Sequence, residues 1–187
     1  MKFKTYCIFF LLFCTLACTK KLVQQKEGIL FKNVTVLPMQ NKEVSPPQSV
    51  YIKKGKIVSI GKESEIEPAI IIDGTGKFLL PGLTEMHAHI PVPDEDDALV
   101  KETLFLYLSQ GVTTIRGMLG NPYHLTLKQL VEEGKILGPR IYTSSPSMNG
   151  NNLTSPSIAR EKVIQYQKEG YDFLKIHPGI PLSLIHI

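Results

Sequence analysis

The chain has 187 residues, of which 43% are hydrophobic and 20% charged, and its formal net charge is +4. That composition excludes a disordered chain, and a modest charge not gathered into a Lys/Arg tract excludes a nucleic-acid-binding surface. The length allows one ordinary domain, or one domain with a piece of another.

The N-terminus reads as a unit of its own. "MKFKTYCIFFLLFCTLAC" places Lys2 and Lys4 before an uncharged apolar run, then Ala17 and Cys18. A basic start, a short apolar core and a small residue at the cut describe a secretory signal. The run is shorter than the roughly 20 residues a membrane-spanning helix needs. All three cysteines, Cys7, Cys14 and Cys18, lie here, so a disulfide framework is excluded for the rest of the chain. "TLAC" (Thr15–Cys18) resembles the lipobox of bacterial lipoproteins, with Thr15 where leucine is usual. This implies lipidation of Cys18, export to the cell envelope and anchorage at the periplasmic or outer membrane. Residues 1–18 are thus read as a lipoprotein-type signal and 19–28 as a polar tether.

Residues 29–80 are expected to form a small β-sandwich-like module. "ILFKNVTVLP" alternates apolar and polar residues, and "SVYIKKGKIVSIG" is two β-rich runs around a turn at Gly55. "AIIIDGTGKFLLPG" predicts a further strand, an Asp-Gly turn and a return strand. A module of this size buries little apolar surface alone.

From Pro81 the rhythm changes. "LTEMHAHI", "VTTIRGM", "RIYTSS" and "YDFLKIH" predict four strands. Helices are predicted between them in "DEDDALVKETLFLYLSQG", "LTLKQLVEEGKI" and "SPSIAREKVIQYQKEG". Acidic residues open the first helix, and Gly111 and Gly170 close the first and last. Strands alternating with helices predict a parallel sheet, and four such strands leave an open edge. Residues 81–187 therefore read as the N-terminal half of a barrel, and the uncapped ending "PLSLIHI" as a truncated end. "SPSMNGNNLTSPS" reads as a loop.

Side chains alternate along a strand, so His87 and His89 point the same way, and Glu85 shares that face by the same rule. Two imidazoles at a strand end can hold one metal ion, although His-x-His alone is a weak signal. "PGLTEMHAH", following "IIDGTGKFLL", resembles the hallmark of the amidohydrolase superfamily, Pro-Gly-Leu/Phe-x-Asp-x-His-x-His at the first barrel strand. "GVTTIRGMLGNP", "GKILGPRIYTSS" and "GYDFLKIH" resemble the segments that follow in its imidazolonepropionase-like and prolidase-like branch.

The resemblance implies a (β/α)8 TIM-type barrel of which this chain holds the first four strands. It implies metal-activated water attacking a C–N bond in an amide, cyclic amide or peptide-like small molecule. The metal is one or two divalent ions, Zn2+ foremost, held by His87, His89 and Lys175. In binuclear members a lysine at the end of the fourth strand carries CO2 as a bridging carbamate. Flanked by Leu174 and Ile176, Lys175 is expected to be partly desolvated, which favours the free amine that CO2 needs. Glu85 stands where the family has aspartate and is given a role in orienting a ligand. His177 is a candidate substrate contact. Arg116 and His124 are read as structural, and residues 149–152 as a loop that could border the pocket. The family's later ligands and its proton-shuttling aspartate would lie beyond Ile187, so no general base is named and this chain alone is expected to be inactive. The competing reading is a non-catalytic envelope lipoprotein that binds a ligand on the same fold. Nothing specifies an oligomeric state.

Overall fold

The computed structural model describes residues 27–40, 44–61, 68–93 and 96–185. The signal, Cys18 and most of the tether lie outside the described residues. The chain divides between Leu80 and Pro81 into two compact units.

The first unit is a five-stranded sheet of β1 (Ile29–Val36), β2 (Gln48–Lys53), β3 (Lys56–Ile60), β4 (Ile70–Asp73) and β5 (Phe78–Leu79). β1, β2 and β3 pair antiparallel. The β2–β3 turn has positive φ at both Lys54 (50°) and Gly55 (69°), the type I′ geometry that matches strand twist in a two-residue hairpin. Leu30, Val34, Val50 and Tyr51 are buried. Both edges stay apolar and exposed, at Ile57, Val58 and Ile60 on β3 and at Ile70, Ile71 and Ile72 on β4.

The strand predicted after Asp73-Gly74 forms at Phe78–Leu79 but does not return antiparallel. β4 and β5 both pair parallel with β1, at Ile29↔Ile70 and Thr35↔Phe78, so the chain keeps its direction. The Asp73 carboxylate accepts from the Thr75 N–H (3.0 Å) and hydroxyl (2.6 Å). The Gly74 N–H donates to the Lys32 carbonyl at 2.7 Å. These bonds raise a small loop off the edge of β1 and set the chain back on it. A type I′ turn needs positive φ at both central residues, and neither Asp73 nor Gly74 has it.

The second unit holds three parallel strands in the order β6 (Leu83–Ala88), β7 (Val112–Gly117) and β8 (Arg140–Thr143). Helix α1 (Ala98–Ser109) joins β6 to β7, and α2 (Tyr123–Glu132) joins β7 to β8. One side of the sheet packs on these helices through Ala88, Ile90, Val100, Leu104, Ile115, Leu127 and Ile141. Each such side chain larger than alanine contributes about 1.5–3 kcal/mol by leaving water. Helix α2 starts two residues before its predicted segment and stops before Gly134, whose φ is +70°. Helix α3 (Pro156–Glu169) is bounded as its sequence requires. Ser155 Oγ accepts from the Ile158 N–H, Pro156 takes a first-turn position, and Gly170 closes the helix at φ 93°.

The fourth predicted strand, residues 171–177, is not continuous. It makes two isolated parallel bridges, Ser144↔Phe173 and Met148↔Ile176. Its partner is the stretch from Ser144 to Met148, and Pro146 within that stretch has no N–H to offer a ladder. Ser145 and Met148 donate to the Phe173 and Lys175 carbonyls, and His177 donates to the Met148 carbonyl. The segment is thus held beside β8 in the parallel direction.

Candidate functional site

In β6 and just beyond it, Ala88 and Ile90 turn into the helix-packed core, which sends His87 and His89 to the opposite, exposed side. Their rings lie 5.3 Å apart between centroids and 42° between planes. The structure therefore brings the two imidazoles together at the C-terminal end of a parallel strand, where barrel enzymes place their chemistry.

Glu85 is a different matter. Its Cα pairs with Ile115 and that of Ala88 pairs with Gly117, so three steps on β6 oppose two on β7. This bulge interrupts the alternation that would set Glu85 beside the imidazoles. Its carboxylate instead accepts the main-chain N–H of His87 at 2.8 Å.

Lys175 is partly buried and sits at the same end of the sheet, with β7 and β8 between it and the histidines. Its N–H donates to Ser145 Oγ at 3.1 Å. Three strand spacings of about 4.8 Å separate β6 from this segment along a flat sheet. Only curvature brings their side chains toward one another. His177 is exposed at the end of the segment, and its N–H is held by Met148. Among the described residues no group of three or more His, Cys, Asp or Glu gathers as a metal cluster.

The loop over residues 149–152 is locked by its own asparagines: Asn152 accepts from the Asn149 N–H and donates to the Ser147 carbonyl. Met148, just before it, brackets Lys175 and His177, so this loop begins directly beside the fourth segment.

His124 is fully buried at the start of α2. Burial lowers its pKa, and the Pro91 carbonyl opposes that shift weakly. The neighbouring Tyr123 hydroxyl is pushed up to about 12 by burial, with the Asp97 carboxylate as a second cause. Arg116 points to the histidine side of the sheet and stacks on Phe173, with Cζ 4.7 Å from the ring centroid. The sequence reading passed over Ser145, Phe173 and Asp172. A serine pair after a strand and an aromatic before a lysine were the signals available.

No family model matches the chain. The dihydroorotase of Thermus aquaticus is 38% identical over 146 residues, covering 71% of this chain and 32% of that protein. Among solved structures, a putative prolidase from Bifidobacterium longum is 32% identical with a TM-score of 0.67, covering 80% of this chain and 40% of that one. A Xaa-Pro dipeptidase with bound methionine in its active site has the same TM-score, 0.67, at 21% identity, a likeness of fold. The proteins this chain resembles include dihydroorotases, adenine deaminases and prolidase-like amidohydrolases, enzymes that act on C–N bonds. The chain is similar to members of the amidohydrolase superfamily, and the solved structures its mixed α/β fold resembles are TIM-barrel enzymes. It spans about a third of the length of the dihydroorotases it matches, 36% and 32% for the first two.

Proposed function

We propose that the protein is a metal-dependent hydrolase of C–N bonds in an amide, cyclic amide or peptide-like small molecule. The observation that carries this reading is the His87–His89 pair, 5.3 Å apart on the open face of a parallel strand end. The three parallel strands and the bridging fourth segment are read as the first four strands of a (β/α)8 barrel. The five-stranded unit is read as its β-sandwich-like module, with residues 1–18 as signal and 19–28 as tether.

The residues present suit a divalent ion in part. Two imidazoles on one face are the donors Zn2+ takes, but a catalytic zinc uses three protein ligands. Lys175 as a carbamate, with groups outside the described residues, would complete the set for one or two ions. When bound, the metal lowers the pKa of a water ligand and polarises the scissile carbonyl. The chain's own part is to hold and orient. Glu85 ties down the main chain at His87, Ser145 fixes that at Lys175, and the exposed His177 is read as a substrate contact.

Export and lipidation at Cys18 complete the proposal, supported by the order of Lys2 and Lys4, the apolar run and Ala17-Cys18. Such a protein would be anchored in the bacterial cell envelope. A palmitate analogue should label expressing cells through this protein, and Cys18→Ala should abolish the label. For the chemistry, the full-length protein is tested against dipeptides, N-acyl amino acids and cyclic amides, with and without a chelator. Hydrolysis abolished by the chelator supports the reading. Bound metal with no turnover of any class favours the non-catalytic binding lipoprotein.

A further inference from the structure

The tether joins the first unit at a fixed point. The Tyr51 hydroxyl donates to the Glu27 carbonyl at 2.7 Å, and Lys53 Nζ meets the Glu27 carboxylate at 2.9 Å. Gly28 lies so close beneath Tyr51 that a Cβ there would collide with the Ile52 carbonyl and the tyrosine ring. Ile29 then pairs with Ile52, so the chain enters the sheet beside the β2–β3 turn.

That turn is a cluster of lysines. Lys53, Lys54 and Lys56 flank Gly55, and Lys53 and Lys56 stand directly opposite each other across the hairpin. Like charges so placed cost stability, and the one Glu27 carboxylate faces three ammonium groups. Lys53 foremost, with Lys54 a smaller contributor, holds that carboxyl below its ordinary pKa. The tether adds Lys20, Lys21 and Lys26. Residues 19–80 hold ten lysines against six acidic residues, a net charge of +4 with the acidic 62–67 segment included. Residues 81–187 hold nine basic residues against eleven acidic ones, a net charge of −2. The positive charge belongs to the tethered part of the chain.

We propose that the Lys53–Lys56 hairpin is a membrane-contact surface that seats the first unit on anionic phospholipid headgroups. This rests on the lipidation of Cys18 proposed above. Glu27 follows Cys18 by nine residues, which reach at most about 30 Å at 3.3–3.6 Å each. A lipid on Cys18 therefore keeps this corner of the sheet within that distance of the bilayer. Each lysine near an anionic surface strengthens the attraction about fivefold. Attachment already comes from the lipid, so the part of the hairpin is to fix which face of the unit meets the membrane.

The test uses the full-length protein without its signal and with Cys18→Ser, so that no acyl chain contributes. It is sedimented with vesicles of phosphatidylcholine alone, or of equal parts phosphatidylcholine and phosphatidylglycerol. The protein should partition to the anionic vesicles, less so as salt is raised. Lys54→Asn combined with Lys56→Gln should weaken that partitioning roughly 25-fold. Asn-Gly suits the type I′ turn, so this variant should keep its Tm. Lys135→Gln combined with Lys168→Gln removes the same charge from the second unit and should change partitioning by less than about twofold. Equal losses in the two variants reduce the attraction to net charge and overturn the proposal, as does equal binding to both kinds of vesicle. The palmitate label tests the lipid separately. A Cys18-dependent label without headgroup selectivity keeps the anchor and removes the hairpin contact, whereas selectivity lost only in the hairpin variant supports the contact even where no label is found.

Discussion

The Glu85 carboxylate accepts the main-chain N–H of His87 at 2.8 Å, which ties the acid to the backbone that carries the first imidazole. A charged acceptor on a backbone donor contributes about 1.5–3 kcal/mol where it is shielded and less toward solvent. Glu85→Ala should therefore loosen the strand end and weaken metal retention several-fold. Glu85→Gln keeps an acceptor oxygen and should lose less. Competition with a chromogenic chelator measures both, and identical retention in wild type and Glu85→Ala would show that this hydrogen bond does not position the site.

Metal content separates the roles of the two histidines from that of Lys175. His87→Ala and His89→Ala should each lose metal and hydrolysis together, because each removes a nitrogen donor from a site with few. Elemental analysis of full-length protein should give about two ions per chain if Lys175 bridges as a carbamate and about one if it does not. Lys175→Ala should then fall from about two ions to one, with partial rescue by short carboxylates. Full activity in that variant would leave a mononuclear site held without Lys175.

His124 supplies a pH prediction. Its folded-state pKa lies below the ordinary value of 6.5 because burial disfavours the imidazolium. Below that ordinary value the unfolded chain takes up a proton that the folded one resists. Its contribution to stability is thus present above pH 6.5 and lost as pH falls through that value toward the folded pKa. Thermal unfolding followed from neutral to mildly acidic pH should show a drop in Tm that is reduced in His124→Leu. Parallel profiles for the two proteins would remove His124 as the cause.

Asp172 links three parts of the second unit. One carboxylate oxygen meets Lys128 Nζ of α2 at 2.6 Å, and the other accepts the Thr143 N–H of β8 at 2.8 Å. Both side chains are mostly covered, at 23% and 21% exposure, so the pair is screened less than a surface pair. Asp172→Ala should cost about 1–3 kcal/mol by leaving both donors unpaired. Asp172→Asn, which keeps an acceptor for Thr143, should cost about 1 kcal/mol or less. Denaturant titration of the two variants checks the order, and equal losses would assign the whole effect to the charge.

The sequence by itself determined what local rules control. Positive φ at Lys54 and Gly55 follows from a short turn between β-rich runs, and α3 begins and ends where Ser155-Pro156 and Gly170 require. The spacing of His87 and His89 put them on one face because alternation is a property of any extended strand. Tertiary structure decided what depends on partners far along the chain. The Ile70–Asp73 run became a parallel neighbour of β1 because the edge of β1 remained available beyond the Asp73–Thr75 loop. The fourth strand broke into two bridges because Pro146 lies in the stretch it must pair with. Glu85 left the expected face because β6 carries one more residue than β7 between paired positions. Arg116, read from sequence as structural, points to the histidine side by alternation, but its stacking partner Phe173, 57 positions further along the numbered chain, was set by the fold. Periodicity fixes which way a side chain points from its own strand, whereas register, bulges and long-range pairing fix what it meets there.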